Sequence, residues 1–446
     1  MSEKSFVIDR LGEATVPSPV PLSTRTDDGL ADYVDDNRRL IYEIETDLDH
    51  LAFQLAQEEL IELAGPRSSL YFHPDRVHAA VVTCGGLCPG LNDVIRAIVM
   101  TLWYGYGVRR TTGIRYGYRG FLPQFDLKPM DLTPDLVSDI HLEGGTILGS
   151  SRGYGDRAGE IVDTIERMGV NILFAIGGDG TQRGALGISQ EVRRRGLKTA
   201  VVGIPKTIDN DLSFVERSFG FETAVEMAVG AVNGAHNEAR GALNGVGIVR
   251  VMGRQSGFIA AYTALANNDV NYCLIPEVPF GLVGEKGLLH HLEDRLLNRH
   301  HAVIVVAEGA GQDLLSQDAG IDASGNKILA DVGVFLKDLI AAYFKQRRIE
   351  VNVRYIDPSY LIRSAPANAN DSVYCTRLGT HAVHAAMTGR TEMIVSLLHD
   401  RFVHVPIRQT IARRNLVDPD GPLWRDVLTA TGQPALMREL NPVLGS

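Results

Sequence analysis

The sequence predicts an α/β protein with two lobes, each a parallel sheet sandwiched between helices and with extensions at both chain ends. Three observations carry that expectation. From about Val77 onward, short apolar β-rich runs alternate with helix-patterned segments, and strands joined by helical crossovers lie parallel. Glycine is abundant, 46 in 446 residues, against a typical ~7%, which points to many tight loops. Polar and glycine-rich motifs follow the apolar runs in two groups, before and after about residue 240. The expected division is an N-terminal arm with helices over 1–76, a first α/β lobe over 77–240, a second over 241–398, and a C-terminal extension over 399–446.

Residues 1–35 are rich in Pro, Ser, Thr and Asp and lack periodicity, predicting a surface-hugging or mobile arm. Between Arg39 and Leu63 apolar residues recur at helical spacing among acids, predicting one or two acidic helices. AAVVTC (79–84) reads as a buried strand, GGLCPG as a turn, and the next segment as a helix from Leu91. That helix places Leu91, Val94, Ile95, Ile98, Val99 and Leu102 on one face. The unit then recurs. NILFAI (171–176) is a strand, GGDGT a turn, and Arg183 to Arg195 a helix; TAVVGI (199–204) is the next strand, ending in PKTIDND. Further strands are expected at GVGIVRV (245–251), YCLIPE (272–277), AVIVVAEG (302–309), IEVNVRYID (349–357) and TEMIVSLL (391–398).

A formal net charge of −10 excludes a general nucleic-acid binder, which needs a broad basic field. It leaves room for small phosphorylated ligands held by a few local cations. Four cysteines are too few for a disulfide framework in a chain this long. The start, MSEKSFVIDR, lacks the apolar core of a signal peptide, and no apolar run reaches membrane-spanning length. The closing VLGS is no peroxisomal address. The expectation is a cytoplasmic protein with no membrane partner.

In open parallel sheets, ligands bind in the loops that follow the strands. The loop Gly85–Gly90 lets backbone approach a phosphate at a helix N-terminus, although a plain turn reads the same way. It matches neither the P-loop nor the G-x-G-x-x-G pattern. In GGDGT (177–181), Asp179 between two glycines leaves a carboxylate beside accessible N–H groups, which suits a phosphate chain with magnesium. The alternative is a helix start capped by Asp179 or Thr181. PKTIDND (205–211) adds Lys206 and two aspartates after the neighbouring strand. Asp179 and Asp209 are thirty residues apart, one βαβ unit, so their strands are expected side by side or nearly so. One carboxylate then serves a metal and the other a hydroxyl proton, which is most of what phosphoryl transfer asks of a protein. A turn held by Asx hydrogen bonds is the alternative. In the second lobe Arg254, Arg354 and Arg363 are candidates for a sugar phosphate. Glu277 either accepts sugar hydroxyls or caps a helix.

GGLCPGLN, GGTILGSSRG, GGDGT, PKTIDND, MGR, PE and YLIR, in this order from about Val77 to Leu398, make the chain resemble the phosphofructokinase family. The wording of the motifs and the long arm are similar to the atypical ATP-dependent branch of the pyrophosphate-related lineage. The resemblance implies a phosphofructokinase-like fold and a glycolytic kinase that phosphorylates fructose 6-phosphate on its 1-hydroxyl, with Mg2+ as cofactor and ATP as co-substrate. It implies that Gly86, Arg152, Gly153, Gly178, Asp179, Gly180 and Thr181 contact ATP, with Asp179 binding magnesium. It places the sugar on Lys206, Thr207, Ile208 and Asp209, on Met252, Gly253 and Arg254, on Glu277, and on Tyr360, Leu361, Ile362 and Arg363. Asp209 takes the 1-hydroxyl proton. Arg354 matches an arginine that crosses a subunit interface, implying a homo-oligomer, a tetramer or a dimer. Allostery is common in the family, but its effector sites differ between branches.

Two departures bear on this. Gly245 stands where short bacterial members carry a second intersubunit arginine. Lys206 is associated with pyrophosphate users, yet Gly180 stands where those commonly have aspartate. An aspartate there would crowd and repel the α-phosphate region of ATP, whereas Lys206 attracts phosphate from either donor. Steric admission therefore selects ATP, with the pyrophosphate-dependent enzyme of the same fold as the alternative. NAD and lipid kinases share a GGDG loop but lack PKTIDND and the arginines of the second lobe.

Overall fold

The computed structural model describes residues 5–25, 27–45, 56–315, 320 and 328–438. Its principal strands, in chain order, are β1 (His78–Thr83), β2 (Arg110–Ile114), β3 (Ile172–Gly177), β4 (Ala200–Pro205), β5 (Gly245–Val251), β6 (Tyr272–Leu274), β7 (His301–Ala307), β8 (Asn352–Ile356), β9 (Met393–Leu398) and β10 (Arg401–Pro406). Two units account for them. The first comprises the residues up to Thr207, Leu212–Gly220 and Ser364–Arg414; the second comprises Ile208–Asp211, Phe221–Arg363 and the residues from Asn415 onward.

The sheet of the first unit runs Arg39–Leu40, Ile61–Leu63, β10, β9, β4, β3, β1, β2, Met130–Asp131. Its five central strands are parallel. The edges correct the expectation of a purely parallel sheet: β10 turns back antiparallel on β9, Ile61–Leu63 pairs antiparallel with β10, and Met130–Asp131 does so with β2. A tight turn at His399 and Asp400, both with positive φ, makes that reversal. Strands β1, β3, β4 and β9 are buried throughout, as continuous apolar runs require.

Helix α1 (Leu91–Met100) buries its expected face, and Leu102 extends that face beyond the helix end. Helix α2 begins at Asp179 (Asp179–Arg194), four residues before the expected Arg183, because an acidic residue is favourable in the first turn. At the two ends of the segment between Arg39 and Leu63 the structure departs from the expected acidic helices. These ends are the strands Arg39–Leu40 and Ile61–Leu63, preceded by a single 3-10 turn at Gln57–Glu59, while 46–55 lies outside the described residues. Pairing with β10 and full burial of Ile61 override the helical spacing. The arm hugs the first unit: Phe6 is buried in the core, Asp9–Arg10 pairs with Arg390–Thr391, and Val16–Pro17 pairs with Ser69–Leu70.

The second unit holds a fully parallel sheet in the order β6, β7, β5, β8. Along β7 the side chains alternate between two cores. Val303, Val305 and Ala307 face α3 (Phe221–Arg240), α4 (Phe258–Ala266) and Trp424, whereas Ala302, Ile304 and Val306 face Leu288–Arg299 and Val332–Arg347. That period of two is the mark of a sheet covered on both faces. The boundaries differ from those expected near 240 and 398 because α3 packs on β5, while β9 and β10 belong to the first sheet.

Candidate active site

In the first unit β1, β3 and β4 are adjacent and parallel, with Gly177 opposite Pro205, so the loops that follow them emerge at one edge. Side chains tie these loops together. Lys206 Nζ donates to the Gly86 carbonyl at 2.8 Å, the Ser150 hydroxyl donates to the Gly85 carbonyl at 2.7 Å, and the Gly85 N–H donates to the Ser151 carbonyl at 2.9 Å. A Cβ on Gly86 would come within 3.8 Å of an Arg152 nitrogen. Gly90 precedes α1 at φ 98, and a Cβ there would lie 2.5 Å from Cys375 Sγ, so both conformation and space demand glycine.

The GGDGT loop is equally constrained. A Cβ on Gly177 would collide with the Thr181 side chain, and the Thr181 carbonyl accepts a hydrogen bond from the Tyr118 hydroxyl at 2.7 Å. Gly178 is the N-cap and makes no side-chain cap; Asp179 is the first helical residue, so neither Asp179 nor Thr181 is the cap. Asp179 Oδ2 lies 3.1 Å from Arg183 Nε and 3.9 Å from an Arg414 guanidinium nitrogen. Gly180 is exposed, and an added Cβ would meet nothing within 4 Å. Gly153 adopts φ 84. The Thr207 carbonyl accepts from the Ser218 hydroxyl. Burial pushes the Cys84 thiol up to about 12, so it supplies no nucleophile.

The second unit gathers the other candidates. Asp209 Oδ2 accepts from the Arg254 N–H at 3.3 Å, and the Asp209 carbonyl accepts from the Ser256 hydroxyl at 3.0 Å. Oδ1 is buried and has no hydrogen-bond partner among the described residues. Burial, then the Asp211 and Glu308 charges, raise the Asp209 carboxyl to about 7, against the Arg254 N–H and the Arg363 charge, which lower it. Glu277 serves the start of a helix with one of its oxygens. Its Oε1 accepts from the N–H of Gly257, the cap of α4, and from the Val417 N–H, both at 2.9 Å. Its Oε2 is buried without a partner among the described residues, and burial raises the carboxyl.

Gly253 takes φ 120 in the turn after β5. Met252 and Ile362 have core side chains, so only their backbones remain for a ligand, as with Ile208, which packs against the same core. Tyr360 and Leu361 lie on the short helix Ser359–Arg363 and are exposed, Tyr360 to 82%. Arg354 sits within β8, half-exposed, with Glu238 at 3.6 Å, inside the strand expected over 349–357. Sequence reasoning counted Asp211 only as the second aspartate of PKTIDND and passed over Glu308 and Arg250, which lie in runs that read only as strands.

A family profile described as Phosphofructokinase matches residues 78–386. The chain is 53% identical over 440 residues to an ATP-dependent 6-phosphofructokinase of Borreliella burgdorferi, covering 97% of this chain and 98% of that one. An ATP-dependent 6-phosphofructokinase of Amycolatopsis methanolica is 49% identical over 439 residues, covering 95% and 94%. Among solved structures, a pyrophosphate-dependent phosphofructokinase from Marinobacter aquaeolei is similar with a TM-score of 0.65, over 83% of this chain and 95% of that one. Its sequence identity is 21%, so that likeness speaks for the fold.

Proposed function

Because the chain belongs to the phosphofructokinase family, we propose that it is an ATP-dependent 6-phosphofructokinase that moves the terminal phosphoryl group of ATP to the 1-hydroxyl of fructose 6-phosphate, giving fructose 1,6-bisphosphate. The observation that carries the reading is Asp209: a buried carboxyl, fixed through Oδ2, with Oδ1 unpartnered among the described residues and a proton affinity near neutrality. A general base is most effective when its pKa lies near the working pH. Asp209 takes the proton of the 1-hydroxyl as that oxygen attacks the terminal phosphorus. Arg254 and Arg363 supply positive charge for the sugar phosphate, and Glu277 Oε2 accepts a sugar hydroxyl.

The glycine loops of the first unit bind the nucleotide through backbone N–H groups, with Gly86, Arg152, Gly153 and Gly178–Thr181 as its contacts. Magnesium fits the donor set there. Both cationic neighbours of Asp179 engage Oδ2, and a cation that keeps several waters and takes phosphate oxygens needs few protein ligands. When bound, magnesium neutralises phosphate charge during transfer. Lys206 holds the Gly86 carbonyl, so it shapes the phosphate loop and lies beside whichever donor enters.

Two facts favour ATP over pyrophosphate: relatives at about half identity are named ATP-dependent, and the space about Gly180 is open. The exposure of Arg354, paired with Glu238 at 3.6 Å, supports a role toward a second copy, and we take the enzyme as a homo-oligomer working in the cytoplasm. Steady-state assay of fructose 6-phosphate phosphorylation with each donor tests the reading. Turnover with ATP and magnesium is expected; turnover with pyrophosphate alone overturns it.

A further inference from the structure

Strand β5 carries a charged side chain where its own pattern calls for an apolar one. Val246 and Ile248 pack in the core formed with Leu288–Arg299 and Val332–Arg347, and with a period of two the next position on that face is Arg250. Its side chain is only 14% exposed. A guanidinium enclosed to this degree costs stability unless it is paired, so packing alone gives no reason for arginine there.

Its partners lie at the ends of the two strands that flank β5. Nη2 donates to Glu308 Oε2 at 3.0 Å, one residue past the end of β7. Nη1 donates to Asp357 Oδ2 at 2.7 Å, one residue past the end of β8. The sheet register delivers both: Arg250 is opposite Val306 on β7, and the last pair with β8 is Val249 with Ile356. Asp331, at 3.9 Å, is already used as the cap of Val332–Arg347. The turns after β5 and β7 are joined by main chain as well, since the Gly309 N–H donates to the Gly253 carbonyl at 3.0 Å. One planar fork thus spans the ends of three adjacent strands, a geometry that a guanidinium offers and an ammonium does not.

Asp357 passes the connection on. Its Oδ1 accepts from the Ser359 N–H at 2.9 Å, so the carboxylate meets Arg250 with one oxygen and starts the helix Ser359–Arg363 with the other. Five residues make little more than one turn, too short to hold itself in place. Ile362 seats one face of it in the core, Tyr360 and Leu361 are exposed, and Arg363 is its last residue. We propose that Arg250 is a positioning residue for sugar-phosphate binding. Through Asp357 its guanidinium fixes the start of this helix, and so the place from which Arg363 reaches the phosphate, relative to the turn that carries Arg254. This rests on Arg363 as a sugar-phosphate contact.

Steady-state kinetics of the full chain in a double-mutant cycle test this. Asp357→Asn removes the ion pair and retains an oxygen for the Ser359 N–H; Arg250→Lys retains the charge and loses the fork. Each is expected to raise the KM for fructose 6-phosphate about tenfold, the scale of one weakened charged hydrogen bond, with kcat and the KM for ATP little changed. In an Arg363→Ala background neither should raise it further, because what they position is gone. A purely structural role would instead lower kcat or the urea midpoint and multiply with Arg363→Ala. An unchanged sugar KM in either variant, or full multiplication in the double variants, overturns the proposal. Should Arg250→Lys not fold, Asp357→Asn decides alone, since it leaves Glu308 paired. Arg363→Ala by itself separates the two levels: a normal sugar KM removes the sugar-phosphate reading, whereas a raised one beside independent effects removes Arg250 alone.

Discussion

Asp209 Oδ2 accepts a hydrogen bond from the Arg254 N–H while Oδ1 is buried with no partner among the described residues. The two residues come from segments of the second unit 45 residues apart, so the carboxyl has a fixed direction and an unused acceptor. Asp209→Asn keeps that geometry and loses only basicity. Turnover should fall by roughly 10²–10⁴-fold, the usual scale for a positioned base, with fructose 6-phosphate binding retained by calorimetry. With Asp209 as the proposed base, its protonation should remove activity, and kcat/KM of the unaltered enzyme should rise with pH through about 7. Stability runs the other way. A carboxyl whose folded pKa is raised favours the fold below the ordinary carboxylate range, and that advantage is lost as pH rises through about 7. Asp209→Asn should therefore gain melting temperature at pH 8 relative to pH 5.

Arg363 closes the short helix Ser359–Arg363, and its charge acts on Asp209. Arg363→Ala should raise the KM for fructose 6-phosphate about 10- to 100-fold, as a lost charged hydrogen bond costs about 1.5–3 kcal/mol, and leave the KM for ATP little changed. A variant whose defect is confined to ATP would show that the two ligands are assigned to the wrong units.

Gly180 has open space around it, so packing does not demand glycine. Gly180→Asp adds an acid in the first turn of α2, where the helix dipole favours it, and stability should hold within about 0.5 kcal/mol. Repulsion of about 1.4 kcal/mol against the nucleotide phosphates is enough to lower kcat/KM for ATP tenfold. Equal ATP kinetics in this variant would mean that the nucleotide does not pass over Gly180.

The sequence made the central strands legible because β1, β3, β4, β5 and β7 are predominantly apolar runs with a punctuating motif at their ends. It concealed β2, where RTTGI mixes threonines with Gly113, and it concealed β10, whose partner is met only across a turn with positive φ. Motif residues were legible as a set, but not atom by atom. Met252 and Ile362 fall inside motifs yet spend their side chains on the core, and Glu277 gives one oxygen to a helix start while the other is buried without a partner among the described residues. Glu308 left no mark, since its meaning comes from Arg250, 58 residues away.

The same distance effect hides a buried ionic group that ties the arm to the first sheet. Glu62 Oε1 meets the Arg390 guanidinium and His404 Nδ1, the latter at 3.1 Å, while Oε2 meets Arg10 at 3.2 Å. Arg67 and Arg390 also share Asp36, at 2.5 and 2.7 Å. Burial alone would raise the Glu62 carboxyl, but the His404 hydrogen bond and the surrounding charges hold it far below the carboxylate range. Burial lowers His404 to about 4, so near neutrality the imidazole is uncharged and donates through Nδ1. Removing one member of such a group leaves enclosed charge uncompensated. Glu62→Gln should cost about 3–5 kcal/mol at pH 7, read as a lower urea midpoint for the first unit. A depressed folded pKa gives stability that is complete above the unfolded value, about 4.3, and is lost as pH falls below it. The deficit of Glu62→Gln should therefore stay constant from pH 8 to pH 5 and shrink only below about pH 4. Narrowing already between pH 8 and pH 6 would mean that a titrating histidine, rather than the ionised Glu62, holds the arm in place.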